Sequence, residues 1–195
     1  LCNFICSLRP DEDKLAYSVI FEMTDAAVVK KYRIARTVIR SNRRYTYEEA
    51  QAIIERFQQG GNEPLPGDEY TSQILELDRL AKILREKRFV DGALGFDRVE
   101  VRFDIDEKGH PMSVYFKESK EANKLIEEFM LLANRTVAEH IGKVKLKKET
   151  AKTFVYRVHD LPDPEKLSNL SQFISRFGYK LKTTGKQTEV SSSIN

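Results

Sequence analysis

Tryptophan is absent from this chain, and cysteine occurs only twice and histidine three times in 195 residues. Cys2 and Cys6 stand four apart with no further cysteine and no nearby histidine, so they supply neither a disulfide framework nor a zinc site. Free cysteines of this kind are expected as small buried apolar residues. His110, His140 and His159 fall in a turn, near a helix end and after a strand, without any metal-ligand spacing, which predicts structural roles for all three. No run of eighteen apolar residues occurs, and "LCNFICSL" lacks the basic leader and long apolar stretch of a signal peptide, so a cytoplasmic protein without membrane contact is expected. There is no G-x-S-x-G nucleophile elbow and no glycine loop that could cradle a phosphate. The net charge is only +3, so any basic footprint for nucleic acid must be local.

What is present suits one soluble domain: 41% of residues are hydrophobic and 32% charged, enough for a substantial core. No internal repeat or linker divides residues 1–195. The chain begins at Leu1 and ends in the polar run "KTTGKQTEVSSSIN", and reads as a segment of something longer.

"KLAYSVIFEM" and "DAAVVKKYRIARTVIR" read as two strands joined by a tight turn, with Leu15, Tyr17, Val19 and Phe21 alternating with Ala16, Ser18, Ile20 and Glu22. Both faces are partly apolar, which predicts burial on both sides. Thr46 followed by Glu49 is a capping box opening a helix through Phe57, closed by Gly60 and Gly61, and "GGNEPLPGD" is a loop. From about Glu69 to Asp91, Ile74, Leu77, Leu80, Ala81 and Leu84 recur at helical spacing before Gly92. A second hairpin follows, with Val99, Val101, Phe103 and Ile105 on one side, Glu100, Arg102 and Asp104 on the other, and "DEKGH" as turn. Ser119 is placed to cap a long helix running to about Ile141. "TFVYRVHD" reads as a short strand, and a last helix takes Asp163 as cap, Pro164 at its first position and Gly178 beyond its end.

Two stretches invite a functional reading. In "RTVIRSNRRYTYEEAQ", Arg40, Arg43 and Arg44 precede Tyr45 and Tyr47 at a strand-to-helix junction, where guanidinium groups can hold phosphates while a ring meets a base or sugar. The plainer account is a solvated strand end with core-anchoring tyrosines. In "NKLIEEFMLLAN", Glu127 and Glu128 interrupt an apolar stripe of Leu125, Ile126, Phe129, Met130, Leu132 and Ala133. Asp104 and Asp106 in "FDIDEKG" read as a solvated hairpin end rather than a metal site.

These stretches, together with "ICSLRPDEDKLAYSVIFEM", "GALGFDRVEVRFD" and "FVYRVHDLPDPEKL", occur in an order and at gaps that resemble the middle of the catalytic domain of the ribonuclease II / ribonuclease R family of processive 3'-to-5' exoribonucleases, nearest the ribonuclease R branch. The resemblance implies an α+β fold: two hairpins, a short strand and about four helices, the central part of an RNB-type domain. It implies roles for three residues. Tyr47 falls where such enzymes place a tyrosine near the scissile end of the RNA, and Phe96 where they stack a ring on bases near the 3' end. Glu127 falls where they place a glutamate on the ribose. A carboxylate only accepts, and the 2'-hydroxyl is a donor that DNA lacks, so Glu127 would select RNA.

The same resemblance marks what is missing. Such enzymes carry a magnesium-binding aspartate cluster upstream of "CSLRP" and a catalytic arginine in a downstream "SPIRRY"-type motif, and this chain contains neither. Magnesium is therefore expected in the full-length enzyme and on no residue of this segment, and the isolated segment is expected to be inactive, with no catalytic residue of its own. The expected partners are single-stranded RNA, the remainder of the parent polypeptide and, for the isolated segment with its bare core surface, further copies of itself. The alternative is a stand-alone, non-catalytic RNA-binding or scaffold module of the same fold.

Overall fold

The computed structural model describes residues 4–61, 69–95, 100–142, 153–157 and 162–194. Cys2, Phe96, Val99 and His159 lie outside them, as does most of the expected loop at 60–68. The chain divides into two compact units, one of Leu1–Ile83 with Lys120–Phe154 and one of Leu84–Ser119 with Val155–Asn195.

The first unit opens with an antiparallel hairpin of β1 (Asp13–Met23) and β2 (Val29–Arg40). Leu15 lies opposite Val38, Tyr17 opposite Arg36, Val19 opposite Ile34 and Phe21 opposite Tyr32, so these residues share one face. Near the turn that face meets the end of a helix, where the Tyr32 hydroxyl lies 3.2 Å from His140 Nδ1. Toward the open end it is bare: Leu15 is 88% exposed, Tyr17 73% and Val38 65%. Burial on both sides, expected from the mixed pattern, is therefore not found, because among the described residues no element of this unit covers the open end of that face. The opposite face is half-buried from Lys14 to Ser18, where the Ser18 and Thr37 hydroxyls share a 2.7 Å hydrogen bond, and exposed at Ile20 and Glu22 nearer the turn.

Helix α1 (Tyr47–Gln58) begins at the expected capping box: Thr46 Oγ1 accepts from Glu49 N–H at 3.1 Å, and Glu49 Oε2 accepts from Thr46 N–H at 2.7 Å. Helix α2 (Thr71–Val90) ends at Gly92, whose φ of +96° supplies the left-handed turn. Its inward stripe is Ile74, Asp78 and Ala81; Leu77, expected inside, is exposed. Asp78 is buried but not isolated, since Lys82 Nζ stands 2.6 Å from its Oδ2 one helical turn on. Helix α3 (Glu121–Gly142) completes the unit, and Ile53, Ile54, Ile74, Ala81, Ala122 and Leu125 form its core, flanked by Tyr45, Ala50, Leu75 and Phe129.

The second unit holds the hairpin of β3 (Glu100–Ile105) and β4 (Pro111–Lys117), helix α4 (Pro164–Ser175) and helix α5 (Gln187–Ile194). Asp163 caps α4 as expected, accepting from Glu165 N–H at 2.9 Å. Helix α5 was not anticipated in a run of threonine, serine and glycine. It packs close to the end of α2, where a side chain on Gly92 would meet the Thr188 backbone at 3.2 Å. In the β3–β4 hairpin Val101, Phe103, Ile105, Val114 and Phe116 are all exposed, as are Phe173 on α4 and Phe177 just beyond its end.

Three further expectations are corrected. Residues 153–157 are not in a strand, since β-propensity expresses fit to a pleated, half-buried surface and does not by itself make one; the rest of that expected strand, 158–160, lies outside the described residues. Cys6 is exposed rather than buried, since the segment ahead of β1 runs over the surface. Ser119 does not start α3. The helix begins at Glu121, Lys120 N–H donates to Asn123 Oδ1 at 3.1 Å, and the amide of Ala122 is taken by a side chain of another helix.

Candidate nucleic-acid interface

The stretch from Arg40 to Tyr47 links β2 to α1, and the three cations and two rings named from sequence meet different fates there. Arg40 Nε donates to Asp13 Oδ1 at 2.8 Å, across the end of the hairpin from its register partner. That pair is solvent-exposed on both sides and worth little to stability. The Arg43 guanidinium lies 4.6 Å from the centre of the Tyr45 ring, and Tyr45 packs against the core. Arg44 is exposed and makes no ion pair with a described residue. Tyr47, in the first turn of α1, is 44% exposed. The two tyrosines thus divide the readings made of them: Tyr45 anchors, Tyr47 faces out.

Glu127 and Glu128 are separated just as sharply. Successive residues on a helix turn by about 100°, so Glu128 falls on the side of Ala122 and Leu125 while Glu127 points away from it. Glu128 is 3% exposed and Glu127 exposed. No buried side-chain oxygen or nitrogen is left without a partner among the described residues, so the enclosed carboxylate is not orphaned.

Two contacts fix how α1 and α3 run. Gln51 Oε1 accepts from Ala122 N–H at 2.9 Å, and Lys120 Nζ lies 3.2 Å from Glu55 Oε1. Going back along α1 from Glu55 to Gln51 corresponds to going forward along α3 from Lys120 to Ala122, so the helices are antiparallel here. Tyr47 lies one turn, about 6 Å, back along α1 from Gln51, and Glu127 and Glu128 lie about 7.5 and 9 Å along α3 from Ala122. The structure thus places Tyr47 and both carboxylates on adjacent, packed helices of one unit, and singles out Glu128 as the one on the inward side. Sequence periodicity held that signal, since 122, 125 and 128 are three apart.

The glutamate at 55 is itself tuned: the hydrogen bond from Gln51 and then that from Lys120 hold its carboxyl below the usual range. Among the described residues no group of three or more histidine, cysteine, aspartate or glutamate side chains is arranged to hold a metal ion. No chemical step is assigned to these residues. No helix among the described residues is long and apolar enough to cross a membrane.

An α+β segment with two small antiparallel sheets and a packed helix pair carrying a ring and two carboxylates is the class these observations define. The RNB domain family matches residues 1–195, and the chain belongs to that family. It is 36% identical over 187 residues to ribonuclease R of Aquifex aeolicus, covering 94% of this chain and 25% of that protein. It is 35% identical over 184 residues to the human exosome complex exonuclease RRP44, covering 94% of this chain and 18% of that one. In fold it matches Mycoplasma genitalium RNase R in complex with ribose methylated single-stranded RNA, with a TM-score of 0.77 at 22% identity over 98% of this chain and 29% of that one. The chain thus spans about a quarter of the ribonuclease R it matches.

Proposed function

We propose that this chain forms part of the RNA-binding channel of a magnesium-dependent, processive 3'-to-5' exoribonuclease of the cytoplasm, one that hydrolyses single-stranded RNA to 5'-mononucleotides. In this reading Tyr47 meets the RNA near its scissile end, Phe96 stacks on bases, Glu127 accepts the ribose 2'-hydroxyl, and Arg44, with Arg40 and Arg43 beside it, meets phosphates. The observation that carries it is the packing of α1, which bears Tyr47, against α3, which bears the two carboxylates. The family match and the ribonuclease relatives support the chemistry. The bare faces of both hairpins support a segment that the remainder of a parent polypeptide covers.

A second reading gives the ribose contact to Glu128. Accessibility favours Glu127, whereas the side of α3 turned toward α1 favours Glu128. Binding of a fluorescent single-stranded RNA and its DNA counterpart, followed by anisotropy, separates them. The wild-type chain is expected to prefer RNA, and loss of one charge-assisted hydrogen bond to cost about tenfold in that preference. Glu127→Ala losing the preference supports the first reading; Glu128→Ala losing it while Glu127→Ala keeps it moves the role inward. Equal affinity of the wild type for RNA and DNA refutes both. With magnesium present the isolated chain is expected to hydrolyse no RNA, and stepwise shortening abolished by Glu127→Ala would contradict the reading of it as channel wall alone.

A further inference from the structure

The long helix that bears the two carboxylates has no capping side chain of its own at Ala122. Its amide, one of the donors that every helix leaves unpaired at its start, is buried and would be orphaned there. The acceptor comes from α1: the Oε1 of Gln51, itself buried, at 2.9 Å. The other end of the same amide group is held too. Gln51 Nε2 donates to Glu55 Oε1 at 3.0 Å, and that oxygen also receives Lys120 Nζ at 3.2 Å. A side chain fixed at both ends has one orientation, and here it ties the first turn of α3 to the middle of α1.

Both distances along the helices are short. Tyr47 is one turn from Gln51 on α1, and Glu127 is five residues, about 7.5 Å, from Ala122 on α3. A hydrogen-bonded helix transmits a shift at its first turn to the next with little loss, so whatever sets Ala122 against Gln51 sets the carboxylates against Tyr47.

We propose that Gln51 is a positioning residue for ribose recognition: it touches no RNA, and it holds the carboxylate-bearing turn of α3 in register with Tyr47. This rests on the RNA-channel reading above. A role confined to stability would weaken RNA and DNA binding alike, whereas a positioning role changes their ratio.

The test compares RNA and DNA affinities of the full chain in three forms. Gln51→Leu keeps the bulk and removes both hydrogen bonds; its RNA preference is expected to fall about tenfold, the value of the one ribose bond it misplaces. Gln51→Glu combined with Glu55→Gln reverses the polarity of the pair while keeping an acceptor for Ala122 N–H, and is expected to restore the preference. Amide exchange at Ala122 should speed up in the first variant and recover in the second. Should Gln51→Leu not fold, Glu55→Ala takes its place, since it frees the Gln51 amide at an exposed position and should lower the ratio part way. A wild type that prefers RNA while Gln51→Leu keeps that preference overturns this inference and leaves the channel reading standing. A wild type without preference overturns both.

Discussion

Ile54→Ala removes most of the side chain that is most enclosed in the first unit, at 1% exposure. It shares its core cluster with Ile53, Ile74, Ala81, Ala122 and Leu125, two of which offer only a methyl group to fill space. Helices α1 and α3 cannot easily close the gap either, because the Gln51–Ala122 and Glu55–Lys120 contacts hold them apart at fixed register. Isoleucine-to-alanine changes in cores cost about 2 to 5 kcal/mol, rising with the cavity that remains, so about 3 kcal/mol is expected here. With a urea slope of about 2 kcal/mol per molar, the midpoint of the circular-dichroism transition should fall by about 1.5 M with the slope unchanged. Leu15→Ala is the control: the same apolar character, but 88% exposed, and expected within about 0.5 kcal/mol of wild type. If both substitutions cost the same, the core does not lie between α1, α2 and α3, and the alignment of Tyr47 with the carboxylates loses its support.

The turn of the second hairpin carries a pH dependence. Asp106 is held below the ordinary aspartate range by the backbone amide of His110 first, then by its ring and the amides of Lys108 and Gly109. A carboxyl lowered on folding stabilises the turn fully above its unfolded value and ceases to do so as pH falls through the folded one. The amide resonances of Lys108 and His110 should therefore show a transition at the acid end, with a midpoint below that of an unstructured peptide of the same sequence; equal midpoints would mean that the turn bonds are absent. The bare end of the first hairpin should make the isolated chain associate with itself: light scattering should show concentration-dependent growth, reduced in Leu15→Ser/Val38→Ser, and a strictly monomeric wild type would contradict it.

Local signals in the sequence carried over well where the physics is local. The Thr46–Glu49 box, the Asp163–Pro164 start and the glycine closing α2 are each decided within four residues, and each stands where it was expected. The misses are tertiary. Ser119 looked like a cap, but the acceptor that Ala122 uses comes from 71 positions earlier in the chain, which no window along the sequence contains. Residues 153–157 have the composition of a strand and are not in one, because β-propensity depends on the surroundings more than on the residues themselves. Leu15 and Tyr17 have the alternation of core residues, yet alternation fixes only which residues share a face and not whether anything covers it. Phe96 falls outside the described residues, so its stacking role rests on resemblance alone.

The two glutamates show where that boundary lies for the site itself. As letters they are equivalent: adjacent, acidic, and set in a stripe so broad that either could belong to its border. Helical phase separates them, because Ala122, Leu125 and Glu128 are three apart and Glu127 is not in that series. Phase alone does not say which side of α3 matters; the Gln51 hydrogen bond does, by fixing α1 on the Ala122 side. A buried carboxylate with its oxygens partnered is costly to place, and its neighbour on the outer face would have satisfied solubility without that cost. Burial of Glu128 is thus the feature that surface charge alone does not explain for this pair, and the paired alanine substitutions at 127 and 128 decide between an outer and an inner acceptor by the RNA-to-DNA ratio alone.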